Sequence, residues 1–470
     1  MKGIIALVLF LIYIILILTV ILAERKNPTA TVLWVVVMIC LPYFGAFLYL
    51  IFGSTTAIKI TTYMRKKRIK KSTRDAYANS KIDDNISLSN EDMQVMTFNN
   101  TYNNSEVTCY DDAEFFISGK THYTKLFEDI KNAKTSIYVE FYTIHHDLVG
   151  ENFVKALTEK AKDGVEVLVL CDFIANLSTP QKMFQPLIDV GGKVIRVKPY
   201  LTHFRSHRKI VVIDNNISYI GGMNIGKQYA NLAEKKNPWR DTQVRLTGNC
   251  ADSLTSYFLD DWICSVKRKD YEDTLKLIEN FHQRPTNWNN NFCQFIVGGV
   301  DTDKESIKMC YLSMIRSAKK KIRIQSPYFV PDSSILDALK TAMGMGVQVE
   351  IMIPGIKASF FLDPVTTYYC GQLLEYGAKI YKYNGYIHAK TMVIDDEICC
   401  IGSVNMDMRS LMVDDEVCGV FYENNLVCQY GNIFENDKNN CKKYTLEQFK
   451  DRTRWDKISE GIFLLFAPLM

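Results

Sequence analysis

The chain has 470 residues and a formal net charge of only +4, enough length for two domain-sized units besides any membrane segment. The near balance of charge leaves no global basic field and argues against a nucleic-acid binder held by phosphate contacts. Its 13 cysteines are odd in number and scattered; they form no C-x-x-C ladder, so no zinc site is expected, and in a cytoplasmic domain they stay reduced.

In chain order, Gly3 to Ala23 carries no charged residue, and neither does Asn27 to Ile58. Each run is long enough to cross a hydrocarbon core. The spacing predicts two transmembrane helices over about 3–23 and 31–52, a tight hairpin within 1–58, with Pro42 tolerated as a kink. The first run meets charge at once at Glu24 and lacks a small-x-small site, so it does not read as a cleaved signal. The hairpin loop holds Arg25 and Lys26, whereas Arg65-Lys66-Lys67-Arg68-Ile69-Lys70-Lys71 follows the second run. The positive-inside rule then predicts a multi-pass protein of the cell membrane with the remaining chain in the cytoplasm. The same cluster suits attraction to anionic lipid. Ser72 to Glu106 is rich in Asn, Ser and Asp and reads as a linker of limited structure. The expected divisions are a basic segment and linker over 59–105, a first half over 106–270 and a second half over 271–470. The stretch Asp261 to Gln283 reads as a mostly helical bridge, and the apolar tail Ile462 to Met470 is expected to pack on its own domain rather than enter a lipid interface.

One short pattern occurs twice. It reads His207-Arg208-Lys209-Ile210-Val211-Val212-Ile213-Asp214 and His388-Ala389-Lys390-Thr391-Met392-Val393-Ile394-Asp395. After six further residues come Gly221-Gly222-Met223-Asn224 in the first copy and Gly402-Ser403-Val404-Asn405 in the second. In a chain with seven histidines, two copies with matching downstream spacing indicate a duplicated half-site. The repeat runs further upstream: Ala133-Lys134 before Ile137-Tyr138-Val139 answers Ala318-Lys319 before Ile322-Arg323-Ile324. Gly164-Val165-Glu166-Val167 answers Gly346-Val347-Gln348-Val349, and Gly191-Gly192-Lys193-Val194 answers Gly377-Ala378-Lys379-Ile380. Strands alternating with helices predict two pseudo-symmetric α/β sandwich halves with largely parallel or mixed sheets that share one site.

The residue types point to phosphate chemistry. Side chains alternate along a strand, so His207 and Lys209, and His388 and Lys390, face the same way. An imidazole can be a nucleophile or a proton carrier near neutral pH, and an ammonium is a point charge for a phosphate oxygen. A nearby carboxylate could hold an imidazole in one tautomer, and a glycine such as Gly222 would let backbone N–H groups approach a phosphate. Two halves face to face would place two histidines, two lysines and two asparagines around one phosphorus, with no metal and no cofactor required. A metal reading of His203 with His207, or of His145-His146, lacks supporting ligands; His122 and His282 read as surface or partly buried residues.

The doubled H-x-K-x4-D-x6-G-[GS]-x-N resembles the phospholipase D superfamily. The resemblance narrows to bacterial cardiolipin synthases at Glu24-Arg25-Lys26-Asn27-Pro28, Pro42-Tyr43-Phe44-Gly45, Trp239-Arg240-Asp241-Thr242, Asn405-Met406-Asp407-Met408-Arg409-Ser410 and the ending Leu464-Leu465-Phe466-Ala467-Pro468-Leu469-Met470. It implies a phosphatidyltransferase that converts two phosphatidylglycerol molecules to cardiolipin and glycerol, with anionic membrane lipid as partner. By the same resemblance His207 is the nucleophile, His388 the acid and then the base, and Lys209, Lys390, Asn224 and Asn405 hold the phosphate. Asp214 and Asp395 orient and support, Ser403 matches the motif's phosphate-side position, and Glu416 orients a histidine across the pocket. One departure is local: Val413-Asp414-Asp415 precedes Glu416 where relatives usually have Leu-Asn-Phe. A hydrolytic phospholipase D, a transferase with another alcohol acceptor, and a membrane-tethered phosphodiesterase or nuclease would share these motifs.

Overall fold

The computed structural model describes residues 2–23, 28–52, 62–65, 67–69, 86, 88–198, 205–232, 238–280, 288–299, 304–357, 359–422 and 425–467. Of the sequence expectations, the hairpin loop with Arg25 and Lys26, Lys66, Lys70, Lys71, His203, His282 and the last three residues fall outside these.

Each half is built on a mixed sheet. In the first, Ser136–Phe141, Glu166–Asp172 and Lys193–Val197 run parallel, and Ser136–Phe141 also pairs antiparallel with Ile210–Ile213. The sheet continues antiparallel through Ile217–Gly221 and Gln243–Thr247 to Ala113–Phe116. In the second, Lys321–Gln325, Gln348–Pro354 and Lys379–Tyr383 run parallel, and the sheet continues antiparallel through Thr391–Ile394, Ile398–Gly402 and Glu416–Tyr422 to Phe292–Gly298. The strand orders are the same, so the two α/β halves expected from the repeat are present. Short strands at both edges, Thr108–Cys109 and Cys441–Tyr444, widen the second sheet to nine strands against seven.

The helices follow from amphipathic spacing. In Leu148–Lys162, Val149, Phe153, Val154, Leu157 and Ala161 fall on one buried face, and Asp147 caps the first turn by accepting from the Val149 and Gly150 N–H groups. Full burial of such side chains contributes roughly 1.5–3 kcal/mol each. The helix Cys250–Ser265 is buried nearly all round, its polar residues Asp252, Thr255, Asp260 and Asp261 included, because it lies inside a core cluster shared by both halves; Tyr138, Ile210 and Val244 meet Phe295, Val393 and Phe421 there. This shared core holds the two motif strands in one frame.

The N-terminal region differs from two simple spans. The helix Lys2–Ala23 forms, and within it Gly3–Leu22 is long and apolar enough to cross a membrane. The expected helix over 31–52 is instead Pro28–Cys40 and Phe44–Phe52. Between them Pro42 removes an amide donor and Tyr43 takes a left-handed φ of 63°. The second piece folds back, so that the rings of Trp34 and Tyr49 meet at 5.6 Å. A Cβ at Gly45 would lie 2.6 Å from the Val37 carbonyl, which is why glycine stands at this close approach.

The polar stretch expected to be a loose linker contains a helix, Asn90–Asn103. Ser89 caps it, Glu91 and Asp92 occupy the first turn, and Val95, Met96 and Asn99 are buried against the second half. The C-terminal helix Arg454–Leu464 packs through Phe463 and Leu464 beside Val365, with Ala467 buried. Trp455, Ile458 and Ile462 face outward.

Candidate active site

Each motif histidine enters the site on a short stretch of chain hydrogen-bonded to the opposite half. Ser206 bridges to Asp415, and the His207 N–H donates to the Asp415 carbonyl at 2.8 Å. In the mirror position Tyr386–Ile387 pairs with Trp239–Arg240, and the His388 N–H donates to the Arg240 carbonyl at 2.6 Å. The residue after each bridging carbonyl is a carboxylate. Glu416 Oε1 lies 2.8 Å from His207 Nδ1, and Asp241 Oδ2 lies 2.6 Å from His388 Nδ1. The sheet register makes these two carboxylates equivalent, because Gly221 pairs with Gln243 and Gly402 with Cys418, each two residues further on. Each half therefore supplies a histidine and receives the carboxylate that orients it. With Nδ1 so held, Nε2 is the nitrogen assigned to chemistry.

Lys209 and Lys390 are buried, and each donates from Nζ to the carbonyl of its own motif histidine. Burial, followed by both lysine charges, holds His207 well below the ordinary imidazole range. Burial and Lys390 bring His388 down to about 4 against the opposing pull of Asp241. Both histidines feel both lysines, so the four side chains share one site. Burial lowers Lys209 to about 7 and Lys390 to about 8, with Asp241 and Glu416 opposing. The carboxylates differ. Burial raises Glu416 to about 8 despite Lys209. For Asp241, burial is outweighed by His388 and Lys390, and its pKa falls.

These values carry a prediction. A phosphodiester anion entering the site raises both lysine pKa values, so between the free and bound values binding takes up protons and affinity weakens as pH rises. Above pH ~8 the ionisation of Glu416 acts in the same direction. A deacylated headgroup diester does not itself titrate in this range. Its Kd should rise by roughly tenfold per pH unit for each proton taken up, measured by calorimetry from pH 6 to 9 in buffers of different ionisation enthalpy. A flat Kd would show that the lysines are charged throughout.

The remaining sequence candidates are placed as follows. Asp214 and Asp395 are not in the site. Each follows its strand at the end away from the histidine, on a left-handed turn (φ 53° at Asp214 and 54° at Asp395) that Asp tolerates. Asp214 accepts from the backbone N–H groups of Lys134, Thr135 and Ser136 and from the Thr135 hydroxyl; Asp395 accepts from the N–H groups of Lys319, Lys320 and Lys321. Each motif aspartate is seven positions after its histidine, roughly 23 Å away at strand rise. Asp214→Ala should therefore cost about 1–3 kcal/mol of stability, seen as a lower melting temperature, and leave turnover per folded molecule within roughly threefold. A large loss of turnover with unchanged melting would return this residue to catalysis.

The Gly222 N–H donates to the Thr242 carbonyl and the Ser403 N–H to the Val417 carbonyl, so neither amide is directed at a phosphate. Gly222 instead makes room: a Cβ there would overlap Asp241 Oδ1. In the other half the hydroxyl of Ser403 donates to Glu416 Oε2. Asn224 is buried, its Oδ1 accepting from the Thr143 N–H and its Nδ2 donating to the Tyr229 hydroxyl at 2.6 Å. Asn405 is half-buried, and its Oδ1 has no hydrogen-bond partner among the described residues. Asp241 was not singled out by the sequence, although it lies in a quoted run. The signal was its register equivalence to Glu416, hidden by the unequal lengths of the two connecting segments. Aromatic rings line the site: Tyr142 meets His207 at 4.8 Å, and Trp239 meets His388 at 5.3 Å.

Two other histidines differ from expectation or have other partners. His122 is fully buried among Phe116, Tyr123 and Tyr219, and burial brings it down to about 3. His145 Nε2 lies 2.8 Å from the Gln228 amide nitrogen.

The profile of the family described as "Cardiolipin synthase, PLD-like domain" matches residues 126–262 and 311–438, one match on each half. A second, described as "Phospholipase_D-nuclease N-terminal", matches residues 8–54. Cardiolipin synthase of Clostridium perfringens strain SM101 is 36% identical over 95% of this chain and 95% of its own. The major cardiolipin synthase ClsA of Bacillus subtilis strain 168 is 33% identical over 98% of both. The crystal structure of phosphatidylserine synthase from Haemophilus influenzae Rd KW20 covers 80% of this chain and 97% of its own, with a TM-score of 0.64 and 16% identity, a likeness of fold. The class defined by fold and site is the phospholipase D superfamily, and within it the chain belongs to the cardiolipin synthase family.

Proposed function

We propose that the protein joins two phosphatidylglycerol molecules into cardiolipin and glycerol by two displacements at one phosphorus. In the first, His207 Nε2 attacks the phosphodiester, the bond from phosphorus to the glycerol oxygen breaks, and His388, which takes up a proton when the phosphodiester anion offsets the lysine charges that lower it in the empty site, gives that oxygen the proton. In the second, His388 takes the proton of a hydroxyl on the second phosphatidylglycerol. That oxygen attacks phosphorus, and the phosphorus–nitrogen bond breaks to free His207. Lys209 and Lys390 offset the charge on the phosphoryl oxygens without a metal.

The observation that carries this reading is the exchange of carboxylates between the halves, which holds Nδ1 of each imidazole and leaves its Nε2 for chemistry in a site with one pair of lysines. The assignment of roles is supported by the unequal carboxylates. Asp241 keeps its charge and suits His388 to carry a proton, because an ionised neighbour stabilises the imidazolium. Membrane placement follows the same line. The helix within Gly3–Leu22 and the folded-back pair after it sit in the cell membrane, and the positive-inside rule assigns the catalytic halves to the cytoplasm.

The test is a product assay on the full-length protein in liposomes with labelled phosphatidylglycerol and a chelator, and no nucleotide. Cardiolipin and glycerol in equal amounts are expected. Phosphatidic acid alone would make water the acceptor, and activity lost to chelator and restored by one metal would overturn the metal-free mechanism.

A further inference from the structure

The basic cluster at residues 65–71 reads from sequence as a topology signal or a lipid attractor. The structure buries one member and half-buries another in the catalytic halves. Arg65 is 4% exposed. Its Nη1 donates to Asp415 Oδ2 and its Nη2 to Asp261 Oδ1, both at 2.7 Å. Asp261 also pairs with Arg208, the residue after His207, and Arg208 donates to the carbonyls of Glu416 and Gly298. Arg68 donates to the carbonyls of Ile263, Cys264 and Val266, at the C-terminus of the helix Cys250–Ser265. Ile69 packs against the core shared by the halves. The segment that follows the membrane region is thus seated in the frame of the site.

Asp415 is the centre of this arrangement. Its carbonyl accepts the His207 N–H and its own N–H donates to the Arg205 carbonyl, so its backbone fixes the entry of the first motif strand. The next residue, Glu416, holds His207 Nδ1. The side chain of Asp415 is buried on Arg65. Arg65 and Arg208 face Asp261 and Asp415 within one buried network, and the buried carboxyl of Glu140 lies beside it. Removing one member leaves a charge without its partner and shifts what that charge positions. We propose that Arg65 is a positioning residue of the active site: through Asp415 it sets Glu416 against His207, so that seating of the juxtamembrane segment on the catalytic halves is a condition for a competent His207. This rests on the reading above, in which His207 is the reacting group.

The test compares full-length Arg65→Gln, Arg65→Lys and the exposed neighbour Lys67→Gln in the same liposomes, with sites counted by burst. Arg65→Gln should lower kcat per site by roughly tenfold or more, leave KM within about twofold and move the acid limb of the kcat/KM profile. Arg65→Lys should recover much of the loss, and Lys67→Gln should match the parent. A higher KM at unchanged kcat, shared by Lys67→Gln, would mean lipid attraction and overturn the proposal. Fewer folded molecules with normal kcat and pH profile per site would mean a structural role and overturn it too. If the parent makes no lipid product at all, the functional reading has failed separately. The pH dependence of His207 modification by diethyl pyrocarbonate, followed by peptide mass spectrometry, then decides the positioning role. A curve displaced in Arg65→Gln supports it, and superimposed curves overturn it.

Discussion

Given a lipid ester whose leaving group needs no proton, His388→Ala is expected to load the lipid and fail to unload it, whereas His207→Ala never loads. Both should lower steady-state synthesis by roughly 10³-fold or more, because two groups acting on one reaction coordinate are not additive. Steady-state loss alone cannot assign roles, since the halves are pseudo-symmetric and either order abolishes turnover. The leaving group separates them. Glycerol leaves as a strongly basic alkoxide and needs the acid, but p-nitrophenolate leaves without a proton. Given a phosphatidyl ester of p-nitrophenol, His388→Ala should release about one equivalent in a burst and then stall, with the lipid held covalently on the protein. His207→Ala should show no burst. A burst from His207→Ala and none from His388→Ala would reverse the assignment. Near-normal synthesis in either variant would end the paired-histidine mechanism.

The parts of this site legible in sequence are those governed by local periodicity. His207 with Lys209, and His388 with Lys390, share a face because side chains alternate along an extended chain, and the repeat around them carried the strand order of both halves. What was not legible depends on contacts between halves or on the direction of a turn. Asp241 reaches His388 only because the other half's chain pairs with Trp239–Arg240. Asp214 and Asp395 share a motif with the histidines, yet a strand's length places them at its far end, where they hold backbone amides. Arg65 looked like its neighbours in a basic run, and only burial against Asp261 and Asp415 distinguishes it. The helix Asn90–Asn103 is a different case. Its signals, a Ser89 cap with Glu91 and Asp92 in the first turn, were present but lay in a composition that read as a linker.

The two orienting carboxylates should also fail differently when neutralised. Asp241 is ionised in the empty site, so Asp241→Asn removes a charge that His388 uses when it carries a proton, and turns the ring's tautomer preference. Loss of an orienting carboxylate of this kind costs roughly 10³–10⁴ in kcat, and the ratio of parent to variant rates should be flat from pH 6 to 9. Glu416 is held neutral up to about pH 8 by burial. With its proton on Oε2, the hydrogen bond with Ser403 reverses: Glu416 donates, and the Ser403 hydroxyl turns to the Val417 carbonyl, 3.2 Å from Ser403 Oγ. Oε1 then still accepts from His207 Nδ1. Glutamine reproduces that neutral arrangement, so below pH 8 Glu416→Gln should cost only about 10–100-fold. Above it the parent acquires a carboxylate that the variant lacks, and the rate ratio should rise through pH ~8. Equal, pH-independent losses in the two variants would show that Glu416 is ionised throughout and that the halves are electrostatically alike. The Gly222–Asp241 and Ser403–Glu416 pairings would then be alternative packings of one charged device, and the division of labour between the histidines would have to come from the lipid.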